Sequence, residues 1–251
     1  MTSANSAKPR VGVPYRTRNE EVTGQDAKLE KYLAAVRQAG GEPVRVSLGL
    51  SREELRQLAQ TFDGVVLPGS PADVNPALYA AARHPLSAEP DPDRERTDFT
   101  LLEHCFAECK PLLAICYGIQ SLNVFQGGTL IPDVPAALGS AIEHDHEDAE
   151  PESFHPVQIE PGSRLARLAH ASQAVVNSSH HQSIQSPGRE LRIVSRAADG
   201  VIEAVEWTGD DNWVTGVQWH PERMAETDSL AQALFQGLVA AAAARKAPLR
   251  V

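Results

Sequence analysis

Pro111-Leu-Leu-Ala-Ile-Cys-Tyr-Gly-Ile-Gln120 joins an apolar run, an abrupt turn and the start of a helix. Leu112 to Ile115 reads as a buried strand. Ile119, Leu122, Asn123 and Gln126 follow at helical spacing, and Gly127-Gly128 closes the helix. Cys116 therefore sits at a strand-to-helix elbow, where Gly118 relieves the crowding. Such an elbow holds a thiol out of the sheet beside a helix N-terminus, whose positive dipole end favours the nucleophilic thiolate. A buried core cysteine would fit this segment equally well, because a free thiol packs as a small hydrophobe.

Moving outward from the elbow, strands and helices alternate through the first half. Arg10 to Pro14 is a predicted strand, and Asp26 to Gln38 an amphipathic helix through Leu29, Tyr32, Leu33 and Val36, closed by Gly40-Gly41. Val44 to Leu48 is a second strand. Ser51 and Glu54 form a capping box for the helix that follows. Asp63 to Leu67 is a third strand, ending at Pro68-Gly69-Ser70, and Arg94 to Cys109 is a helix before the elbow. Beyond the elbow, strand-like stretches dominate: Val157 to Glu160, Ala174 to Val176, Leu191 to Ala197, Val201 to Trp207 and Val214 to Trp219. Asp199-Gly200 and Asp210-Asp211-Asn212 supply turns, and Glu226 to Ala244 closes the chain as a helix. The pattern predicts an α/β fold: a mostly parallel central sheet with helices on both faces and an added antiparallel portion.

Val214-Thr-Gly-Val-Gln-Trp-His-Pro-Glu222 ends a strand on His220, with a carboxylate two positions on. A thiol nucleophile needs a base within hydrogen-bond reach and a third group to orient that base. His220 and Glu222 can fill those roles if their strand end lies beside Cys116. In open α/β sheets the ligand crevice lies outside the carboxyl ends of the strands. Gly69, Cys116 and His220 all end predicted strands, which is the physical reason to group them.

The motifs Cys116-Tyr-Gly-Ile-Gln120, Gln218-Trp-His-Pro-Glu222 and Leu67-Pro-Gly-Ser-Pro71 together resemble a class I glutamine amidotransferase domain. Pro68-Gly-Ser-Pro-Ala-Asp-Val-Asn-Pro76, Asp91-Pro-Asp-Arg-Glu-Arg-Thr-Asp98, Leu122-Asn-Val124 with Gly127-Gly-Thr-Leu130, Val176-Asn-Ser-Ser-His-His-Gln182 and Asp199-Gly-Val-Ile-Glu-Ala-Val205 narrow the likeness to the gamma-glutamyl-gamma-aminobutyrate hydrolase branch. The resemblance runs in order from about Val11 to the final helix. It implies a flavodoxin-like class I glutamine amidotransferase fold and a triad of Cys116, His220 and Glu222. It also implies oxyanion donors at the N–H groups of Gly69 and Tyr117, and substrate-holding positions at Ser70, Gln120, Ser178, Ser179 and His180. The implied reaction is hydrolysis of small gamma-glutamyl amines, as in polyamine breakdown, through a thioester that releases glutamate.

One departure bears on selectivity. Many hydrolases of this branch carry Arg after the nucleophile, where this chain has Tyr117, as do amidotransferases that feed ammonia to a synthetase. The resemblance thus leaves open a glutaminase subunit with a separate synthetase partner, and a phenol near the leaving group. His181 stands where some relatives have a small residue. Arg94 and Asp98 are expected to brace the helix before the elbow.

Composition fits one enzyme-sized domain. A chain of 251 residues, 42% hydrophobic, can bury roughly three-quarters of its unfolded surface. Residues 10–251 are expected to form that domain, behind a flexible tail over 1–9. A net charge of -10 with no basic cluster excludes nucleic acid as an expected partner, and no apolar run reaches the ~18 residues a membrane span needs. The first residues lack a hydrophobic core for a secretion signal. The three cysteines, Cys105, Cys109 and Cys116, cannot all pair, which suits a reducing cytoplasm. Cys105 and Cys109, four apart on a predicted helix, are read as packing beside Leu101, Leu102 and Phe106. Glu143-His-Asp-His-Glu-Asp148 alternates imidazole and carboxylate as metal sites do, but flanking Glu150 and Glu152 make it read as an acidic surface loop placed to cover the pocket. Neither a metal nor a cofactor is expected; the partner is a small gamma-glutamyl substrate, and a homodimer stays open.

Overall fold

The computed structural model describes residues 7–139, 142–144 and 153–246. In chain order its elements are β1 (Arg10–Pro14), α1 (Arg18–Thr23), α2 (Ala27–Gln38), β2 (Glu42–Val46), α3 (Arg52–Gln60), β3 (Gly64–Leu67), α4 (Pro92–Ala107), β4 (Leu112–Ile115), α5 (Tyr117–Phe125), β5 (Thr129–Ile131) and α6 (Val134–Leu138). They continue with β6 (Ser153–Ile159), α7 (Arg164–Ala169), β7 (Gln173–Ser178), β8 (Ser183–Ser186), β9 (Leu191–Ala197), β10 (Ile202–Trp207), β11 (Val214–Val217) and α8 (Ser229–Lys246). Short 3-10 turns occupy Pro76–Tyr79 and Pro221–Arg223.

One sheet runs in the order β2-β1-β3-β4-β11-β10-β9-β6-β7, with β8 also pairing to β10 and β5 to β8. The first five strands of that order are mutually parallel. From β10 onward every pairing is antiparallel. This is the expected parallel centre with an antiparallel extension.

Successive residues of a strand point to opposite faces, and β4 shows the result. Leu113 and Ile115 join a core with Val11, Val13 and Val217 of the sheet, Leu29, Leu33 and Val36 of α2, and Leu234 and Leu238 of α8. Leu112 and Ala114 join the opposite core with Val65 and Leu67, Leu55 of α3, Leu101 and Leu102 of α4, and Leu122 of α5. Each buried Leu or Val contributes about 1.5–3 kcal/mol, so both helical layers are anchored through the strands that carry the predicted site.

Several boundaries moved for identifiable reasons. β2 starts at Glu42, two residues before the expected strand, and includes Pro43. It is the sheet's outer strand, where a residue without an N–H is tolerated. α4 begins at Pro92 because Asp91 caps it, accepting from the N–H groups of Asp93 and Arg94. It ends at Ala107, so Cys109 (φ 49°) is off the helix and does not share a face with buried Cys105. The capping box of Ser51 and Glu54 forms as expected. The short strands β5 and β8 and the helices α1, α6 and α7 were not expected. Pro9 is already buried and its carbonyl accepts from Glu42 N–H (2.8 Å), so the expected tail stops short of it; residues 1–6 lie outside the described residues. Residues 145–152, most of the expected pocket cover, lie outside them too. No helix among the described residues is long and apolar enough to cross a membrane.

Candidate active site

Cys116 adopts φ 53°, ψ −107° between β4 and α5. A non-glycine residue at positive φ carries about 1–3 kcal/mol of strain, which persists only where the surroundings fix it. Here the Cys116 N–H donates to the Val217 carbonyl (2.9 Å) and its own carbonyl accepts from Ile119 N–H (3.1 Å). Gly118 is the second requirement: a Cβ there would lie 2.3 Å from the Leu67 carbonyl oxygen, so no side chain fits.

β3, β4 and β11 are adjacent and parallel, so their carboxyl ends meet. Gly69 follows β3, Cys116 follows β4 and His220 follows β11. A Cβ on Gly69 would stand 2.9 Å from His220 Cε1 and 3.4 Å from Cys116 Cβ, so glycine is what lets the three strand ends close up. The backbone of His220 is clamped both ways by buried Asn177: its N–H donates to Asn177 Oδ1 (2.9 Å) and its carbonyl accepts from Asn177 Nδ2 (3.0 Å). The turn begun by Pro221 then folds Glu222 back, placing its Oε1 2.8 Å from His220 Nδ1. A carboxylate on Nδ1 orients the ring and leaves the other nitrogen to serve the Cys116 thiol, which lies with the imidazole against Gly69.

The electrostatics follow from burial and charge. Burial alone pushes the Cys116 thiol up, but the charge of the neighbouring His220, aided by Arg223, brings it below its ordinary value. For His220, burial opposes the charged form; Glu222 and the Cys116 sulfur outweigh it and raise the imidazole to about 9. Burial likewise opposes the Glu222 carboxylate, and His220 and Arg223 overcome it and lower its pKa. The three groups thus favour a thiolate–imidazolium pair steadied by a carboxylate.

They open on a cleft of about 550 Å³, its mouth included. Of the expected substrate-holding residues, Ser70, Gln120, Ser179 and His180 line it. The Gln120 side chain donates to the Gln182 carbonyl (3.1 Å), and the Ser179 carbonyl lies 4.0 Å from the sulfur. Ser178 lies behind the wall, its hydroxyl donating to the His144 carbonyl (3.0 Å). His180 turns Nδ1 toward the Gln182 carbonyl (3.0 Å) and Nε2 toward Glu203, so both ring nitrogens face protein. His181 reaches across the cleft to Asp73 (2.9 Å).

The oxyanion donors are placed unequally. Tyr117 is the first residue of α5, so its N–H has no intrahelical acceptor. The Gly69 N–H donates to the Tyr32 hydroxyl (3.1 Å), and an oxyanion at Gly69 must compete with that bond. The Tyr117 ring does not reach the leaving-group side. It is 1% exposed and lies in the core under the Arg94 guanidinium, 4.8 Å from its centroid. Arg94 is wholly buried, paired with Asp98 (2.7 Å) on its own helix, and donates to the Arg16 and Pro68 carbonyls, so it ties α4 to the segments after β1 and β3 and does more than brace its helix.

Sequence reasoning missed Tyr32, Arg16, Lys28, Asp73 and Arg223. Tyr32 fits the apolar face of α2 and so reads as core; its hydroxyl accepts from the Gly69 N–H and lies 3.5 Å from His220 Nδ1. Arg16 follows β1 and donates to the Gly69 carbonyl (3.2 Å); its place after a strand end was the available signal.

Known proteins share this arrangement of sequence and fold. The gamma-glutamyl-gamma-aminobutyrate hydrolase PuuD of Escherichia coli (strain K12) is 35% identical over 222 residues, covering 84% of this chain and 85% of that protein. Protein NtpR of Enterococcus hirae is 31% identical, covering 83% of this chain and 86% of NtpR. The fold matches that of a Thermoplasma acidophilum protein described as one subunit of a GMP synthase, with a TM-score of 0.67 at 14% identity, covering 96% of this chain and 98% of that one. The Peptidase C26 family profile matches residues 9–222, and with these relatives it shows that the chain belongs to the Peptidase C26 family, within the class I glutamine amidotransferase-like group.

Proposed function

We propose that the chain is a cysteine hydrolase of gamma-glutamyl amides that works through a thioester. The observation that carries the reading is the thiol, imidazole and carboxylate gathered at the base of the cleft, with Glu222 Oε1 2.8 Å from His220 Nδ1 and the imidazole and Cys116 both packed against Gly69. Membership of the Peptidase C26 family and likeness to a gamma-glutamyl-gamma-aminobutyrate hydrolase support the bond type and the glutamyl half.

In this reading the Cys116 sulfur attacks the γ-carbonyl carbon, and the displaced electron pair sits on the carbonyl oxygen. The Tyr117 N–H stabilises that oxyanion; loss of one such donor costs about 3–4 kcal/mol in the transition state. His220, carrying the thiol proton, gives it to the leaving amine as the tetrahedral species collapses. Water, deprotonated by His220, then hydrolyses the thioester and glutamate leaves. Glu222 steadies the imidazolium in both halves. The substrate's α-carboxylate and α-ammonium call for charges of both signs, and the cleft offers Arg16, Lys28 and Arg223 with Asp73. The protein is placed in the cytoplasm by this reading, where its thiols stay reduced. Tyr117, which pointed to an ammonia-delivering role, is buried under Arg94 and lends that alternative no support.

A panel of gamma-glutamyl amines, with released amines identified by liquid chromatography, tests the proposal. Wild type is expected to release glutamate and one favoured amine without a partner protein, and Cys116→Ala to release neither. Equal turnover by both proteins refutes the mechanism, and turnover of glutamine only, dependent on an added synthetase, refutes the substrate class.

A further inference from the structure

Outside the triad, four separate segments send chemistry-bearing side chains to one buried point. His144 comes from the stretch after α6, His155 from β6, His180 from the turn after β7, and Glu203 from β10; none is more than 5% exposed. One ligand atom from each lies within 4.8 Å of all the others. Glu203 Oε1 is 3.4 Å from His155 Nε2, 3.6 Å from His144 Nδ1 and 3.7 Å from His180 Nε2.

Those contacts do not satisfy the groups that make them. Both Glu203 carboxylate oxygens, His155 Nε2 and His180 Nε2 are buried without a hydrogen-bond partner. A buried carboxylate with no donor is severely destabilising, and native cores avoid it. The spacing matches something else. Nitrogen and oxygen ligands at about 2.0–2.1 Å from one tetrahedral ion stand about 3.4 Å apart.

The outward-facing atoms agree. His144 Nε2 lies 2.9 Å from Asp199 Oδ2, and His180 Nδ1 lies 3.0 Å from the Gln182 carbonyl. Each of these acceptors holds a proton on the outer nitrogen and turns the lone pair of the inner one toward the shared point. This is how carboxylates and carbonyls orient metal-bound histidines. The Ser178 hydroxyl, 3.4 Å from His144 Nδ1, gives its proton to the His144 carbonyl and so does not compete for the site.

We propose that His144 Nδ1, His155 Nε2, His180 Nε2 and Glu203 Oε1 form a closed, four-ligand site for a divalent transition-metal ion of the zinc type. Three imidazoles disfavour magnesium and calcium, and four protein ligands leave no position for a substrate, so the ion is structural. It departs from the expectation of a metal-free chain, and it stands apart from the reaction proposed above. Its effect on the cleft is indirect. It fixes the wall from Ser179 to Gln182, whose Ser179 carbonyl lies 4.0 Å from the nucleophile, and it ties that wall to β10, where the Glu203 carbonyl accepts from Gln218 N–H (2.8 Å).

The test uses untagged full-length protein, since a histidine tag would bind metal itself. Metal content is measured by plasma mass spectrometry as purified, then after chelation and titration with zinc or cobalt(II). About one ion per chain is expected, with the visible absorption of four-coordinate cobalt bound by nitrogen and oxygen. Cys116→Ala should keep the ion, and Glu203→Gln and His155→Asn should lose it at least tenfold. A wild-type protein that is metal-free and takes up neither ion overturns the proposal. So do variants that bind as tightly as wild type, or a cobalt spectrum with a thiolate charge-transfer band. Should the variants not fold, the wild-type titration and the cobalt spectrum still decide.

Discussion

Replacing Glu222 with Gln keeps the shape of the site and removes one charge, so it isolates what the carboxylate does. In the folded protein His220 is raised from 6.5 to about 9, against the opposing pull of burial. That rise corresponds to about 3 kcal/mol of preference for the imidazolium. Glu222 is the largest contributor to it, with the Cys116 sulfur next. A neutral amide at 2.8 Å can still accept the Nδ1 proton but cannot balance the charge. The imidazole should therefore fall back toward its ordinary value, and kcat/KM near neutral pH should drop by up to about 10²-fold, the factor that the full 3 kcal/mol or so represents. The sign of the stability change follows from the same values. A group whose pKa is raised on folding stabilises fully below its unfolded value of 6.5, and that contribution disappears as pH rises through about 9. The Tm deficit of Glu222→Gln should thus be largest near and below neutral pH and narrow toward alkaline pH. Thiol alkylation by iodoacetamide, followed from about pH 5 to about pH 10, reads the thiolate–imidazolium pair without turnover. Wild type should alkylate below the ordinary thiol range, and the variant only at higher pH. Superimposable alkylation profiles would refute the reasoning.

Tyr32→Phe removes the hydroxyl that accepts from the Gly69 N–H and lies 3.5 Å from His220 Nδ1; kcat should fall by about 2–10-fold, the equivalent of one ordinary hydrogen bond, with KM little changed, and a change confined to KM would contradict the placement. Gly118→Ala forces a Cβ to 2.3 Å from the Leu67 carbonyl oxygen. Urea unfolding should show a loss of about 1–3 kcal/mol or more, and an unchanged midpoint would show that the elbow can relax. Arg94→Met leaves the buried Asp98 carboxylate unpaired, with a loss of about 3–5 kcal/mol expected in the same assay. Asp73→Asn weakens the bridge to His181 across the cleft; KM for gamma-glutamyl amines should rise with kcat nearly unchanged, and a kcat-only effect would place Asp73 in the chemistry instead.

The geometry of the candidate site was legible because it depends on rules that act over short distances. A buried strand followed by Cys116-Tyr-Gly118 and a helical pattern reads as a tight elbow, and adjacent parallel strands bring their ends together whatever the chain between them does. Pro43 misled because its tolerance depends on β2 being an edge, a property of sheet order and not of the segment. β8 was missed since Ser183 to Ser186 shows no alternation of apolar and polar residues; β10 and β5 supply its partners. Tyr32 was indistinguishable from core, because helical spacing assigns a face and says nothing of what a hydroxyl at its tip will meet. The His144, His155, His180 and Glu203 cluster was hidden for a different reason. Its members come from four segments whose convergence is decided by the antiparallel extension, so the local run at Glu143 to Asp148 showed only one of the four.

The central claim is that Cys116 becomes covalently acylated. Rapid acid quenching of wild type with a gamma-glutamyl amide, followed by intact-mass and peptide analysis, should reveal one glutamyl group attached at Cys116, absent in Cys116→Ala and accumulating in Glu222→Gln if deacylation slows. Steady glutamate release with no adduct at any time, or an adduct on a residue other than Cys116, would contradict it.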